Sequence, residues 1–495
     1  MDFASEWSKT NIHDRKLALS YFVNSVNNKN HPDYLNIVKA PKNWGVFASN
    51  GPNFKYAVFG RDSLVVADDL LNTHKELVHE IILFIAKLQG TTTNDDSEEE
   101  PGKIHHEYRS LKYDGITVPE YSQGILRNLQ RLWGEEGSDI MIYYGGYDAT
   151  PLYIRLVCKY IEQYGESILQ ETYIGRDNLT HDILGSVRHA IGWLTYKINE
   201  SNLGLLEYKR INPHGIENQA WKDSRTGYLK RDGSMPNFNY GIASIEIQGY
   251  VYDAILLASK IIAENDEQRA YWESLAYSVS EKVISWFWME DVKYFAQAIF
   301  IDENNNRQQI DTLTSNGALI LNSQIITNLR PADREYYLTK ISETIMNKNF
   351  LNNAGIRSRS LIHESIPGFI DYHGSYTVWH KETNEIAKGF RINGLNNLAN
   401  ILEKRIIDTV AMSGEFSEFH YVDIDDKIWY DNHEAVHYFS QRSPGGNLPI
   451  PEPGQAWTIS SVYRICLNEN LLKSCPANNI ENIIFKKYPY LKFSN

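Results

Sequence analysis

Apolar residues recur at three- and four-residue intervals through most of this chain, the spacing of one face of a helix. The pattern predicts helices over Arg15–Val26, Ser63–Leu71, Glu76–Leu88, Pro151–Tyr164, Ile183–Ile198 and Ile245–Ile262. It continues over Glu267–Phe287, Thr312–Leu321, Glu335–Met346, Asn384–Leu402 and Gln455–Leu467. Extended runs are few and short, Tyr294–Phe300 among them. Heptads are not sustained, which argues against a single coiled coil. Two segments read as loops. Thr91–Pro101 is acidic and predicts a solvated, mobile excursion. Ser443–Gly454 carries Pro444, Pro449, Pro451 and Pro453 and cannot be helical. Similar helical pairs continue on both sides of each, so neither reads as a linker. The expectation is one all-α domain over residues 1–495, built of helical hairpins. Closing such hairpins into a ring would give each a neighbour on both sides and gather the long loops at one end around a funnel.

Length and charge narrow the function classes. The 495 residues suffice for a sizeable core. A formal charge of −13, with no basic stripe, argues against nucleic acid and weakens any case for anionic lipid. Cys158, Cys466 and Cys475 are too few for a disulfide framework or a zinc cluster. The polar start, Met1–Trp7, does not read as a signal peptide, and no apolar run approaches the ~18 residues of a membrane span. The expected location is cytoplasmic. Tyr and Trp, at 32 and 11 residues, carry most of the aromatic content and suit wet clefts as well as cores.

The candidate chemistry lies in five loop segments. Gln219-Ala220-Trp221-Lys222-Asp223-Ser224 sets an amide, an indole, a cation and a carboxylate side by side. That set suits a sugar ring gripped on its apolar face while a proton reaches its glycosidic oxygen. Trp221 as a core plug and Asp223 as a helix cap account for it equally. In Tyr56–Ser63, Gly60 permits a tight turn, and Asp62 or Ser63 can cap the following helix. Arg61 and Asp62 also form a donor–acceptor pair for adjacent hydroxyls. In Pro101–Arg109, His105, His106 and Glu107 lack an i, i+4 partner and do not match zinc-ligand spacing. In Tyr143–Pro151, Asp148 or Thr150 is a candidate cap, and Tyr143 and Tyr144 are candidates for a cleft wall. In Ser413–His420, Glu418 sits between Phe416 and Phe419, where burial would raise a carboxyl pKa. An outward-facing acid on a surface strand is the alternative. Glycoside hydrolysis needs two carboxylates facing one another, and only a closed architecture brings Asp223 and Glu418 together.

With those segments in view, the chain resembles the amylo-α-1,6-glucosidase (glycogen debranching enzyme) family of toroid glycosidases. The resemblance runs from about Trp44 to Leu467. It rests on Tyr56–Leu64, Pro101–Arg109, Tyr143–Leu152, Asn218–Ser224, Glu246–Ala254, Gly355–Ser360, Phe416–Phe419 and Gln455–Trp457, in family order. It implies an (α/α)6 toroid and an inverting hydrolysis, with Asp223 as general acid and Glu418 as general base. Arg61 and Asp62 would hold the terminal sugar, and Glu107, Tyr144, Gln219, Trp221, Lys222, Trp379 and Trp457 would complete the pocket. No cofactor or metal is implied. The partner is an oligosaccharide or polysaccharide, with no nucleic acid and no membrane. Two departures stand out: the segment Gly374–Asn384 is lengthened and has His380 where the family has Pro, and His420 follows Phe419. The expected activity is that of an exo-acting α-glucosidase on glycogen-derived or other α-gluco-oligosaccharides. A toroid glycosidase for trehalose, a mannoside or a rhamnoside, or an inactive carbohydrate-binding protein, are the alternatives.

Overall fold

A computed structural model describes residues 33–364, 371–442, 448–467 and 475–493. The expected helix Arg15–Val26 and residues 443–447 lie outside them. The longer helices are α1 (Gly60–Leu70), α2 (Lys75–Lys87), α3 (Glu120–Trp133), α4 (Ala149–Tyr164), α5 (Ile183–Glu200), α6 (Ile245–Ile261) and α7 (Asp266–Trp286). Two short helices follow, α8 (Asn316–Leu319) and α9 (Gln324–Thr327). Then come α10 (Pro331–Ile345), α11 (His380–Ile392), α12 (Asn396–Ser413), α13 (Asn432–Ser440), α14 (Ala456–Cys466) and α15 (Asn479–Lys487).

Six of these elements close a ring. Helix α1 packs on α4, α4 on α6, and α6 on α8 and the 3-10 turn Ile320–Asn322. That turn packs on α11, α11 on α14, and α14 returns to α1. Helices α2, α5, α7, α10 and α12 lie outside, against α1, α4, α6, α8 and α11 respectively. Position in the ring explains burial: α6 is buried from Ile245 to Ser259, whereas α7 buries only Trp272, Ala276, Val279 and Val283. A helix packed on all sides needs polar partners inside, and Arg155 of α4 stands 3.7 Å from Asp253 of α6.

Three small antiparallel sheets lead into the inner helices. Strands β1 (Ala57–Phe59), β2 (Glu107–Ser110) and β3 (Ile140–Tyr143) precede α1 and α4, with Phe59 opposite Glu107. Strands β4 (Ile242–Ser244), β5 (Ala298–Ile301) and β6 (Arg307–Ile310) precede α6 and α8. Strands β7 (Thr377–Trp379), β8 (Phe419–Val422) and β9 (Ile428–Trp429) belong to α11, with Trp379 opposite Phe419.

Three expectations are corrected. The predicted helix Asn384–Leu402 is two helices, because Gly394 at φ +75° turns the chain between α11 and α12. Thr312–Leu321 is helical only from Asn316. Thr91–Pro101 is solvated only in part: Thr92–Asp96 are exposed, but the segment folds into a tight turn with Asn94 paired to Glu99, and Glu98 and Glu99 are buried. Glu98 accepts from Tyr143 Oη at 3.2 Å, Asn212 N at 3.2 Å and Gln219 Nε2 at 2.6 Å; Glu99 accepts from Arg176 at 2.8 Å. Buried carboxylates are tolerated when fully hydrogen-bonded, and distant segments supply these donors.

Candidate active site

The inner helices α1 and α14 begin beside one another, and their first turns wall a cavity of about 320 Å³. Gly60 opens α1 because the backbone passes close there: a Cβ would stand 2.1 Å from His105 O. Gly60 N donates to His106 O at 3.0 Å, which fixes β2 against the helix start. The next residues, Arg61 and Asp62, reach the cavity; Gln455 and Trp457 do the same from α14. His106 and Glu107 come from the start of β2, Glu418 from the turn before β8, and Asp223 and Ser224 from the loop before β4. Phe54, Phe59, Ile216 and Tyr372 complete the wall.

Arg61 is the electrostatic centre. Nη1 donates to Asp148 Oδ2 at 3.1 Å and to Ala220 O at 3.2 Å, and Nη2 donates to Asp223 Oδ2 at 3.0 Å. Its guanidinium lies 5.3 Å from the Trp221 ring centre. Burial works against its charge, but Asp148, Asp223 and Asp62 outweigh it and hold the pKa above the ordinary value. Asp148 occupies the cap position of α4 and makes no capping bond; Arg61 takes its oxygen instead. Asp62 and Ser63 likewise lie inside α1 and do not cap it.

The carboxyls facing the cavity are all pushed upward where they shift. Burial raises Glu418 to about 8, against the bond from Tyr372 and the backbone bond from Glu452. Tyr372 Oη donates to Glu418 Oε1 at 2.5 Å, and Glu452 N donates to Oε2 at 3.0 Å. Burial raises Asp62 to about 7, with Arg61 opposing. Burial also raises Asp223, opposed by its bond to Arg61. Burial and Arg61 hold His106 well below its usual value, so its ring is neutral. Asp62 Oδ1, Gln455 Oε1 and Trp457 Nε1 are buried and have no hydrogen-bond partner in the protein. These polar atoms match a ligand that brings its own donors and acceptors. Among the described residues, no group of three or more His, Cys, Asp or Glu is placed to hold a metal.

Of the eleven residues expected in the pocket, Arg61, Asp62, Glu107, Asp223, Glu418 and Trp457 meet at this cavity. The other five stand behind the wall. Trp221, 2 % exposed, packs edge-on to Trp379 at 5.2 Å and to Trp457 at 5.5 Å. Trp379 stacks on His373 and donates to Tyr372 O at 3.3 Å. Lys222 is fully buried on Glu382 at 3.2 Å. Gln219 turns away to Glu98 at 2.6 Å. Tyr144 is fully buried with its hydroxyl on Leu88 O at 2.8 Å. Tyr372 and Phe54 line the cavity without a sequence signal that sets them apart; His106, Phe59 and Gln455 lie in segments the sequence marks but have no place in the pocket expected there. The Trp379–Phe419 register, which brings Tyr372 to Glu418, is a tertiary pairing and leaves no local mark.

No family model and no curated relative matches the chain. Solved structures do match. A GH63 mannosylglycerate hydrolase from Thermus thermophilus, in complex with glucose, aligns over 87 % of this chain and 98 % of its own, at 14 % identity and TM-score 0.55. An uncharacterized conserved protein from the same organism aligns over 91 % and 99 %, at 12 % identity and TM-score 0.52. A wild-type glycosidase aligns over 92 % and 97 %, at 9 % identity and TM-score 0.52. The fold is therefore an (α/α)6 toroid.

Proposed function

We propose that this protein is an inverting, exo-acting glycoside hydrolase that cleaves a neutral α-gluco-oligosaccharide. The observation that carries the reading is the meeting of Asp223 and Glu418 at one cavity from segments nearly two hundred residues apart. Asp223 would protonate the glycosidic oxygen, and Glu418 would draw a proton from the attacking water. Glu418 fits the base because both its oxygens accept, from Tyr372 and from Glu452 N, as an ionised carboxylate does. The solved neighbours of the same fold, a mannosylglycerate hydrolase and a glycosidase among them, are in keeping with this class.

The wall favours a neutral substrate. Its described residues include four carboxyls, Asp62, Glu107, Asp223 and Glu418, and one guanidinium, already bonded to Asp148 and Asp223. Arg61 is the one cation among these wall residues and is already engaged, so an anionic leaving group such as glycerate would find no free cation there to hold it. A volume of about 320 Å³ stands at the small end of ligand sites, about 300–1,000 Å³, and suits the end of a chain more than a branched polymer.

Hydrolysis of maltose, isomaltose, trehalose and mannosylglycerate, followed by NMR of the first anomer released, tests the reading. Release of β-glucose from an α-glucoside is the expected result. Mannosylglycerate as the sole substrate, or retention of configuration, would overturn it.

A second reading exchanges the two acids. Arg61 bonds Asp223 and favours its ionised form, while burial raises Glu418 to about 8. Leaving-group dependence separates the two. With Asp223 as acid, Asp223→Asn loses isomaltose hydrolysis but keeps that of α-glucosyl fluoride, whose leaving group needs little protonation. The exchanged roles give that split to Glu418→Gln instead.

A further inference from the structure

The residue behind Asp223 is a second carboxylate with no access to substrate. Glu382, in the first turn of α11, is fully buried. Oε1 accepts from Trp221 Nε1 at 2.7 Å and from Ser315 Oγ at 2.6 Å, with Lys222 Nζ at 3.2 Å. Oε2 accepts from Ser358 Oγ at 2.6 Å. Lys222 Nζ also donates to Ser315 Oγ at 2.9 Å and to Ser358 O at 2.6 Å. One side chain thus joins α11, the start of α8, the segment around Ser358 and the loop that carries Asp223.

We propose that Glu382 is a positioning residue for the general acid. Two of its partners, Trp221 and Lys222, are the two residues directly before Asp223. It therefore reaches Asp223 by two routes. One is the backbone, anchored on both preceding side chains. The other is the Trp221 ring, on whose face Arg61 rests while Nη2 holds Asp223 Oδ2. Packing alone does not call for this arrangement. A buried charge pair costs desolvation that well-packed apolar residues avoid, so a carboxylate here is explained by the geometry it enforces. The inference rests on Asp223 as the acid.

The test compares Glu382→Gln with Asp223→Asn on isomaltose and on α-glucosyl fluoride. A misplacement of the acid by about 1 Å costs on the order of 100-fold, so kcat for isomaltose should fall about 10–100-fold in Glu382→Gln. KM for isomaltose and kcat for the fluoride should stay near wild type. A residue that only supports the fold would lower both substrates together, and that result overturns the proposal. If Asp223→Asn itself shows no split, the acid assignment fails. If it splits and Glu382→Gln does not, only the positioning role fails. Ser358→Ala removes a single bond to Glu382 and serves if Glu382→Gln does not fold; it should show the same split, smaller in size, and an equal loss on both substrates overturns the proposal.

Discussion

Tyr372 Oη stands 2.5 Å from Glu418 Oε1, the shorter of the two bonds that hold the proposed base. A donor to a carboxylate stabilises its ionised form, and this bond works against the burial that raises Glu418. Tyr372→Phe removes the donor, so the Glu418 pKa should rise. The acidic limb of kcat/KM against pH, which reports an ionised base, should move to higher pH. The move should be about one pH unit, the worth of one hydrogen bond of about 1.4 kcal/mol. An unmoved limb would detach Tyr372 from the base.

The same burial makes Glu418 costly to the fold when ionised. In the unfolded chain a glutamate ionises near 4.3, about its ordinary value; here burial raises it to about 8. Stability tied to the neutral form is therefore whole below about pH 4 and lost as pH climbs through about 8. Asp62, raised to about 7, acts in the same direction. Glu418→Gln, neutral at every pH, should be inactive yet more stable than wild type. The gain should grow from pH 5 to pH 8 and then level at about 1–3 kcal/mol. Thermal unfolding across that range measures it, and a variant no more stable than wild type at pH 8 would refute it.

Arg61 touches Asp148, Ala220 O and Asp223 at once, with Asp62 3.7 Å away, and its planar fork meets several acceptors together. Lysine keeps the charge but offers a point donor. Arg61→Lys should lose the bond to Asp223 or the one to Asp148. Since Arg61 lowers Asp223, its loss should raise the Asp223 pKa and carry the basic limb of the pH profile to higher pH. Activity should fall at least about 100-fold through misplaced acid geometry. Steady-state kinetics from pH 5 to pH 9 decide the point; a basic limb that stays or falls would contradict it.

What the sequence revealed, and what it hid, follows from where each signal resides. The inner helices α4 and α6 announce themselves because their apolar spacing is dense. Helix α3 does not: its buried positions are Ser122, Leu126, Gln130 and Trp133, half of them polar. Helix α15 is capped by Asn478 and Glu481 but buries little. The acidic run at Glu98 suggests solvation because its donors, Asn212 and Gln219, lie more than a hundred residues away. The site divides the same way. Arg61, Asp62, Asp223 and Glu418 belong to local motifs, whereas Tyr372 enters only through its pairing with Glu418. Lys222 and Gln219 belong to the same motif as Asp223 and turn inward, so a motif marks a segment of the site without separating its face from its back.

Two histidines from separate segments, His380 and His420, are partners of one another. His380 Nε2 and His420 Nδ1 lie 3.0 Å apart, across strands β7 and β8, where Val378 pairs with His420. Burial holds His420 down at about 4, and burial together with His420 holds His380 well below its usual value. Both rings are neutral near pH 7, so one nitrogen donates and the other accepts. Each single substitution, His380→Phe or His420→Phe, leaves a buried nitrogen unpaired and should cost about 1–3 kcal/mol. The double variant should cost less than the sum by at least about 0.5 kcal/mol, the mark of residues in contact. Depressed pKa values also fix the sign of a pH effect. The stability of the neutral pair is present above about 6.5, the ordinary histidine value, and is lost as pH falls through about 4. Wild type should therefore lose more stability than the double variant between pH 7 and pH 4. Urea unfolding at both pH values measures coupling and pH dependence together, and additive single costs with parallel pH profiles would show that the two histidines act independently.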